Sequence, residues 1–278
     1  MMTHRKILDD AVKKLENAGI YEAKHDAWAL FEASFNMSRT DYYMNDERDA
    51  DERMNELYVE RIERRAKHEP LQYILGNTCF MGMDFTVTPA VLIPRFDTEV
   101  LVDEALRIIP EGSKVLDMCT GSGCIAISIA LLGKNNVTGV DISDDALRVA
   151  EINRVRLKAT ECVDFIKSDM FEAVNGTYDY ILSNPPYIRS SDIDELADEV
   201  KDMEPRLALD GTEDGLFFYR ILASESGRFL NNGGALIMEI GYDQAEDVSR
   251  LLEENKFTDI RVIKDLAGLD RVVCGWRK

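Results

Sequence analysis

The sequence predicts an α/β protein in two parts. A mainly parallel sheet, covered by helices on both faces and closed by an antiparallel C-terminal hairpin, is preceded by a small all-helical domain and a β-hairpin linker. Three observations carry this. The first seventy residues repeat apolar positions at helical spacing. From Pro94 onward short apolar strands alternate with helices, as a covered parallel sheet requires. The last two strand patterns are joined by 264–269 without room for a helix, so they are expected to pair antiparallel. The domain boundaries are expected at 1–72, 73–93 and 94–278.

In order along the chain, a first helix over 2–17 is stopped near Gly19. Ala27, Leu30, Phe31, Ser34 and Phe35 stand at i, i+3, i+4, i+7 and i+8, a helix burying one stripe, and Met54, Leu57, Tyr58 and Ile62 repeat the pattern. About four short helices follow from this. They form a bundle too small for a nucleotide cleft of its own. Residues 73–93 alternate β-branched and aromatic residues around Gly76 and Gly82, a hairpin pattern. Then come helix 97–109, strand 114–118, helix 122–132, strand 136–141, helix 144–157 and strands 162–167 and 178–183. Strand 234–240, helix 242–254 and strands 259–264 and 270–276 complete the chain.

At 278 residues and 45% hydrophobic content the chain can hold one large and one small globular domain. No apolar run is long enough to cross a bilayer, and the N-terminal segment mixes Arg5, Lys6, Asp9 and Asp10 in a helical pattern unlike a targeting peptide. Five cysteines without metal spacing fit a reducing cytoplasm. Cys119 and Cys124 are read as two small residues of a turn, not a redox pair. His4, His25 and His68 all fall in the helical part, and no metal site is expected. The net charge is −19, and residues 1–75 carry twelve Lys and Arg against sixteen Asp and Glu. Such a chain repels phosphate, which argues against a nucleic-acid partner. The basic residues Arg61, Arg64, Arg65 and Lys67 are expected to form a solvated helix face.

The chemistry gathers at strand ends. After strand 114–118, Cys119-Thr120-Gly121-Ser122-Gly123 forms a glycine turn opening a helix, where main-chain N–H groups can meet a ligand. Asp117 is placed either near a cofactor amine or as a cap of this turn. Asp141 ends the next strand, where a carboxylate can hold two ribose hydroxyls. The spacing Gly121-x-Gly123-x-x-Ala126 also satisfies a loose dinucleotide pattern, so these residues alone leave a nicotinamide enzyme open. Ser168-Asp169-Met170 follows the third strand, at the tip expected to face an adenine ring. Asn184-Pro185-Pro186-Tyr187 follows the fourth. Asn184 offers an amide acceptor, the prolines fix the backbone, and Tyr187 offers a flat face for a planar group.

Glycine turn, ribose acid, adenine-edge acid and Asn-Pro-Pro-Tyr, in this order on successive strands, resemble Rossmann-like class I S-adenosylmethionine-dependent methyltransferases of the amino-group type. The segments from Leu92-Ile93-Pro94-Arg95 to Glu99, from Glu69 to Gly76, and Glu204-Pro205-Arg206-Leu207-Ala208-Leu209 narrow this further. So do Asp214-Gly215-Leu216, Glu239-Ile240-Gly241 and Asp270-Arg271-Val272-Val273. Over essentially the whole chain it resembles the peptide chain release factor glutamine methyltransferases. Two departures stand out: Phe96 where the family usually has Pro, and Cys119 where many members have Gly.

The resemblance implies S-adenosyl-L-methionine as cofactor and S-adenosyl-L-homocysteine as product. It implies methylation of the Gln of the Gly-Gly-Gln motif of class I peptide chain release factors, the proteins of translation termination. The protein substrate is expected to dock on residues 1–72. Cys119, Thr120, Gly121, Ser122, Gly123, Asp141, Asp169, Met170 and Asn184 are expected to bind cofactor, and Asn184, Pro185, Pro186 and Tyr187 the substrate amide. Asn184 and the Pro185 carbonyl would accept hydrogen bonds from the amide N–H groups, so no His or carboxylate base is needed. Arg95, Thr98 and Glu99 are read either as ordering the pocket wall or, the preferred reading, as part of a structural ion pair. A monomer is expected. The alternatives are a ribosomal-protein glutamine methyltransferase, an adenine-N6 nucleic-acid methyltransferase and a non-enzymatic scaffold. The last would require a broken motif, and both motifs are intact.

Overall fold

The computed structural model describes residues 2–278. The chain divides into two compact units, Met1–Gly76 with Ala197–Met203, and Asn77–Leu196 with Glu204–Lys278.

The first unit holds α1 (His4–Asn17), α2 (Ala23–Phe35), α3 (Arg39–Asn45), α4 (Glu52–Arg65) and α5 (Leu71–Leu75). Thr3 starts α1 because its Oγ1 accepts from the Lys6 N–H at 3.3 Å. Leu15, Leu30, Phe31 and Tyr58 fill the core, and the Tyr58 hydroxyl donates to the Ala27 carbonyl at 3.0 Å. The stripe predicted on α4 is only partly buried. Tyr58 and Ile62 lie inside, whereas Met54 and Leu57 are 42% and 40% exposed. Arg65 takes the third inner position. A guanidinium tolerates burial only when its charge is matched. Arg65 Nε donates to Asp26 Oδ2 at 2.7 Å, and its Nη2 lies 2.9 Å from Glu199 Oε2. The basic segment is therefore no freely solvated face. Arg61 donates to Ser34 Oγ at 2.9 Å, and Arg64 forks onto the Glu69 carboxylate at 2.8 and 2.5 Å.

In the second unit, β1 (Asn77–Phe80) and β2 (Met83–Thr86) form a hairpin shorter than 73–93. Residues 73–75 belong to α5, which Gly76 ends with φ 80°. The main sheet contains β3 (Lys114–Met118), β4 (Asn136–Asp141), β5 (Val163–Lys167), β6 (Tyr178–Ser183), β7 (Leu230–Glu239), β8 (Phe257–Lys264) and β9 (Asp270–Arg277). Its order is β5-β4-β3-β6-β7-β9-β8, parallel from β5 to β7, with β9 antiparallel to both neighbours. The helices are α6 (Phe96–Ile108), α7 (Cys124–Gly133), α8 (Asp144–Arg156), α10 (Phe217–Phe229) and α11 (Ala245–Glu254), while the single-turn α9 (Asp198–Lys201) falls in the first unit.

Alternation along the strands divides the core into two layers. Val115, Leu182, Ile237 and Val272 pack with Leu101 and Ile127 on one side; Leu116, Ile181, Leu236 and Val273 pack with Tyr219 on the other. Two elements differ from the sequence expectation. Helix α10 falls where none is predicted. Strand β7 begins at Leu230 because Leu230 pairs with Tyr178 ahead of an irregularity before the Tyr180–Ala235 pair. The carboxyl ends of β3, β4, β5, β6 and β7 share one edge of the sheet, the place where ligands bind in open α/β sheets.

Candidate active site

The turn after β3 is built on a buried carboxylate. Asp117 accepts from the Thr120 hydroxyl and from the Ala126 N–H at 3.1 Å, so one side chain caps both the turn and the start of α7. Its second oxygen, Oδ1, has no hydrogen-bond partner among the described residues. Burial pushes the Asp117 carboxyl up to about 7, against the pull of Thr120 and Ala126. The backbone turns through positive φ at Cys119 (62°), Gly121 (54°) and Gly123 (78°). A Cβ on Gly123 would stand 2.9 Å from the Phe165 ring, and one on Gly139 would stand 2.5 Å from that ring and 2.8 Å from Thr120 Oγ1. On Gly121 it would meet nothing within 4 Å.

Asp141 is also held by main chain. Oδ2 accepts from the Gly121 N–H at 2.8 Å and Oδ1 from the Ser143 N–H at 2.9 Å. Burial raises its pKa, while the N–H groups of Ser143, Gly121 and Ile142 act in the opposite direction. Each oxygen retains a lone pair for a hydroxyl donor. Across the next loop the Ser168 N–H donates to the Asp141 carbonyl at 3.0 Å, and buried Met170 adopts φ 43°.

The β6 tip is held by side chains instead. Asn184 Nδ2 donates to Thr98 Oγ1 at 3.1 Å, which leaves Asn184 Oδ1 as a free acceptor. Thr98 is buried in the first turn of α6. Beside it Arg95 pairs with buried Glu204, and Glu99 accepts from the Met81 N–H at 2.6 Å. Tyr187 Oη lies 3.4 Å from Glu239 Oε1, and the Tyr187 carbonyl accepts from Gln244 Nε2 at 3.1 Å. Gly211 and Gly215 clasp this end; a Cβ on either would come within 2.7 Å or less of Tyr187 main chain. Phe96, 79% exposed, is the first residue of α6, a helix position that also accepts Pro.

These parts surround one cavity of about 310 Å³, the size of a small-molecule site. Cys119, Thr120, Gly121, Ser122, Asp141, Asp169, Met170, Asn184 and Pro186 line it, as do Arg95 and Thr98. Gly123, Pro185 and Tyr187 are not on its wall. Gly123 is turned toward Phe165 and Ala150 as the N-cap of α7, and Tyr187 toward Glu239. Sequence reasoning missed Pro205, Leu207, Phe217 and Phe218, which also line the cavity. It also missed Glu239 as the buried partner of Tyr187. The Phe217-Phe218 pair was the available signal, since two adjacent aromatics on a one-sided helix leave one without a core position.

The spare acceptors of Asp141 and the open space at Gly121, both on the cavity wall, fit a ligand that carries a ribose. Solved structures that share the fold are methyltransferases. A methyltransferase from Pyrococcus furiosus aligns with TM-score 0.57 at 17% identity, covering 79% of this chain and 98% of that one. A ribosomal protein L11 methylase from Lactobacillus delbrueckii subsp. bulgaricus aligns with TM-score 0.50 at 24% identity, covering 69% and 84%. At these identities the likeness is one of fold, and fold and site together define a class I methyltransferase. Residues 6–76 match the family described as PrmC N-terminal domain, and residues 95–212 the Methyltransferase small domain. The release factor glutamine methyltransferase of Geobacter sulfurreducens is 42% identical over 275 residues, covering 98% of this chain and 96% of its own. That of Clostridium acetobutylicum is 44% identical over 239 residues, covering 84% of each. This chain belongs to the release factor glutamine methyltransferase family.

Proposed function

We propose that the protein methylates the side-chain amide nitrogen of the Gly-Gly-Gln glutamine in class I peptide chain release factors, with the cavity at the strand ends holding S-adenosyl-L-methionine. The observation that carries this is Asn184, tied through its nitrogen to Thr98 and offering Oδ1 at the cavity wall. Asp141 holds the ribose hydroxyls, Asp169 the adenine amino group, and the 119–122 turn the methionine part. When bound, the cofactor supplies a sulfonium-activated methyl group and leaves as S-adenosyl-L-homocysteine.

An amide nitrogen is a weak nucleophile because its lone pair is shared with the carbonyl. Asn184 Oδ1 accepts from one N–H of the substrate amide, and the Pro185 carbonyl is the second acceptor as the substrate seats. These two bonds turn the nitrogen toward the methyl group and favour the positive charge it develops. The proton then leaves to water. The relatives are named for release factor glutamine methylation, and the Asn-Pro-Pro-Tyr geometry suits an amide. The test is transfer of labelled methyl to purified release factor beside its Gln→Ala variant, with duplex DNA and ribosomal proteins in parallel. Label on the intact factor alone is expected; label on DNA or ribosomal protein instead would overturn the acceptor.

A further inference from the structure

Two stretches distant in sequence border the mouth of the cavity. Pro94 and Arg95, just ahead of α6, belong to the first; Pro205, Leu207 and Ala208 belong to the second, which leads to Phe217 at the start of α10. Leu207 and Phe217 both line the cavity, yet they are 56% and 45% exposed. They therefore stand at its opening, not on its floor. Apolar side chains left open at the rim of a site mark a surface that a partner covers.

The second stretch is tied by main chain to the residues that follow Tyr187. The Ile188 N–H donates to the Leu209 carbonyl at 3.0 Å, and the Gly211 N–H to the Ile188 carbonyl at 2.8 Å. Glu204 ties it to the first stretch. Its Oε1 accepts from Arg95 Nη2, and its Oε2 accepts from the Ile93 N–H at 3.4 Å. The carboxylate is buried, whereas the Arg95 side chain is 41% exposed. An ion pair with a buried member is poor value for stability alone, because apolar residues of similar volume often serve the fold as well. What it gives here is a fixed distance between two pieces of the cavity mouth.

We infer that Glu204 clasps the two stretches and so sets the width of the mouth, which selects an acceptor glutamine preceded by residues without a side chain. Asn184 lies on the cavity wall. The glutamine side chain must therefore pass inward while its backbone rests at the rim, against Leu207 and Phe217. Glycine has no Cβ to hold that backbone away. The two glycines before the glutamine of the acceptor motif are what such a rim admits. Glu204 and Arg95 are positioning residues that act through the rim, and Leu207 and Phe217 meet the substrate.

The inference rests on the amide-methylating function proposed above, and its test separates the two. Transfer of labelled methyl is measured to the unmodified release factor and to a factor with Gly→Ala at the residue before the glutamine. The wild-type enzyme should prefer the unmodified factor by about tenfold to 200-fold in kcat/KM, the range for one methyl-sized group at a fitted site. Glu204→Gln should lower that preference about fivefold or more, with cofactor Kd changed less than about threefold. Arg95→Met cuts the same clasp from its exposed side and should act alike. Leu207→Ala trims the rim at an exposed position, where the fold is not at risk, and should relax the preference too. Hydrogen exchange at 91–95 and 205–209 reads the clasp without activity and should quicken in Glu204→Gln and Arg95→Met. A purely structural ion pair predicts a lower Tm and faster exchange but an unchanged preference in the folded variants. That result, or no preference for glycine in the wild type, overturns this inference alone. A wild-type enzyme that leaves the unmodified factor unlabelled overturns the acceptor assignment and this inference with it.

Discussion

The two halves of the cavity are held in place by different means. On the β3–β4 side the carboxylates are anchored mainly by main chain: Asp141 by the Gly121 and Ser143 N–H groups, Asp117 by the Ala126 N–H together with the hydroxyl of Thr120 in the same turn. On the β6–β7 side, side chain holds side chain, Asn184 through Thr98 and Tyr187 through Glu239. A main-chain anchor is fixed as soon as the turn forms. A side-chain anchor has rotors and protons that can be reset. The first kind suits a cofactor whose contacts are the same in every turnover. The second suits a group that must present one atom in one orientation to a large partner.

The sharpest way to break this contrast is to change the presented atom. Asn184→Asp keeps an acceptor but adds charge and loses the donor to Thr98. It is expected to lower the methylation rate about 10²-fold or more, with cofactor affinity little changed, as single-turnover kinetics and calorimetry would show. On the other side Asp141→Ala should do the reverse. Loss of charge-assisted hydrogen bonds of about 1.5–3 kcal/mol should raise cofactor Kd about tenfold to a hundredfold, with a smaller effect on kcat at saturation. Equal effects of both variants on both quantities would erase the distinction between the halves.

Smaller effects test the main-chain anchor itself. Gly139→Ala forces a Cβ against the Phe165 ring and Thr120 Oγ1, and overpacking of this kind costs about 1–3 kcal/mol, visible as a Tm lowered by several degrees. Asp117 ties that anchor to pH. Its folded pKa is raised from an ordinary value of 3.8 to about 7. A raised carboxyl favours the fold while protonated, so this contribution is full below the ordinary value and is lost as pH rises through about 7. Asp117→Asn should therefore flatten the fall in Tm between pH 4 and 8, and an unchanged slope would show that Asp117 is ionised throughout. Least of all, Cys119→Gly should change unfolding free energy by less than about 1 kcal/mol in denaturant titration. Relief of a left-handed residue at φ 62° offsets the loss of a small side chain.

The same contrast explains what could be read from the chain. The β3 turn, Asp141 and their order are legible because each depends on residues close in sequence: a strand, a glycine turn, a helix start. The Asn184–Thr98 contact spans 86 positions and the Tyr187–Glu239 contact 52, and no local pattern announces either. Asn184 was legible through its prolines; that Tyr187 turns to Glu239 rather than to the cavity was not. Helix α10 was hidden for a different reason. Its inner stripe, Tyr219, Leu222, Ala223 and Ser226, has helical spacing but includes a serine and an alanine, and Gly227 and two leading aromatics weaken the local preference. On α4 Met54 and Leu57 matched the stripe in hydrophobicity, yet the inner position went to Arg65, whose partners Asp26 and Glu199 lie 39 and 134 positions away.

That last partner has a consequence for how the chain is made. Glu199 lies on α9, in the segment Ala197–Met203 that leaves the sheet-bearing unit and returns to it. A ribosome releases the helices of the N-terminal unit first, yet the unit is not complete until residue 203 has emerged. By then β3 to β6 have already been synthesised. A fragment ending at Gly76 is a tidy stretch of gene but an unfinished body, with one carboxylate missing from beside a buried guanidinium. The two units are interleaved along the chain and so in the order of synthesis, and a single cut in the chain divides them nowhere cleanly.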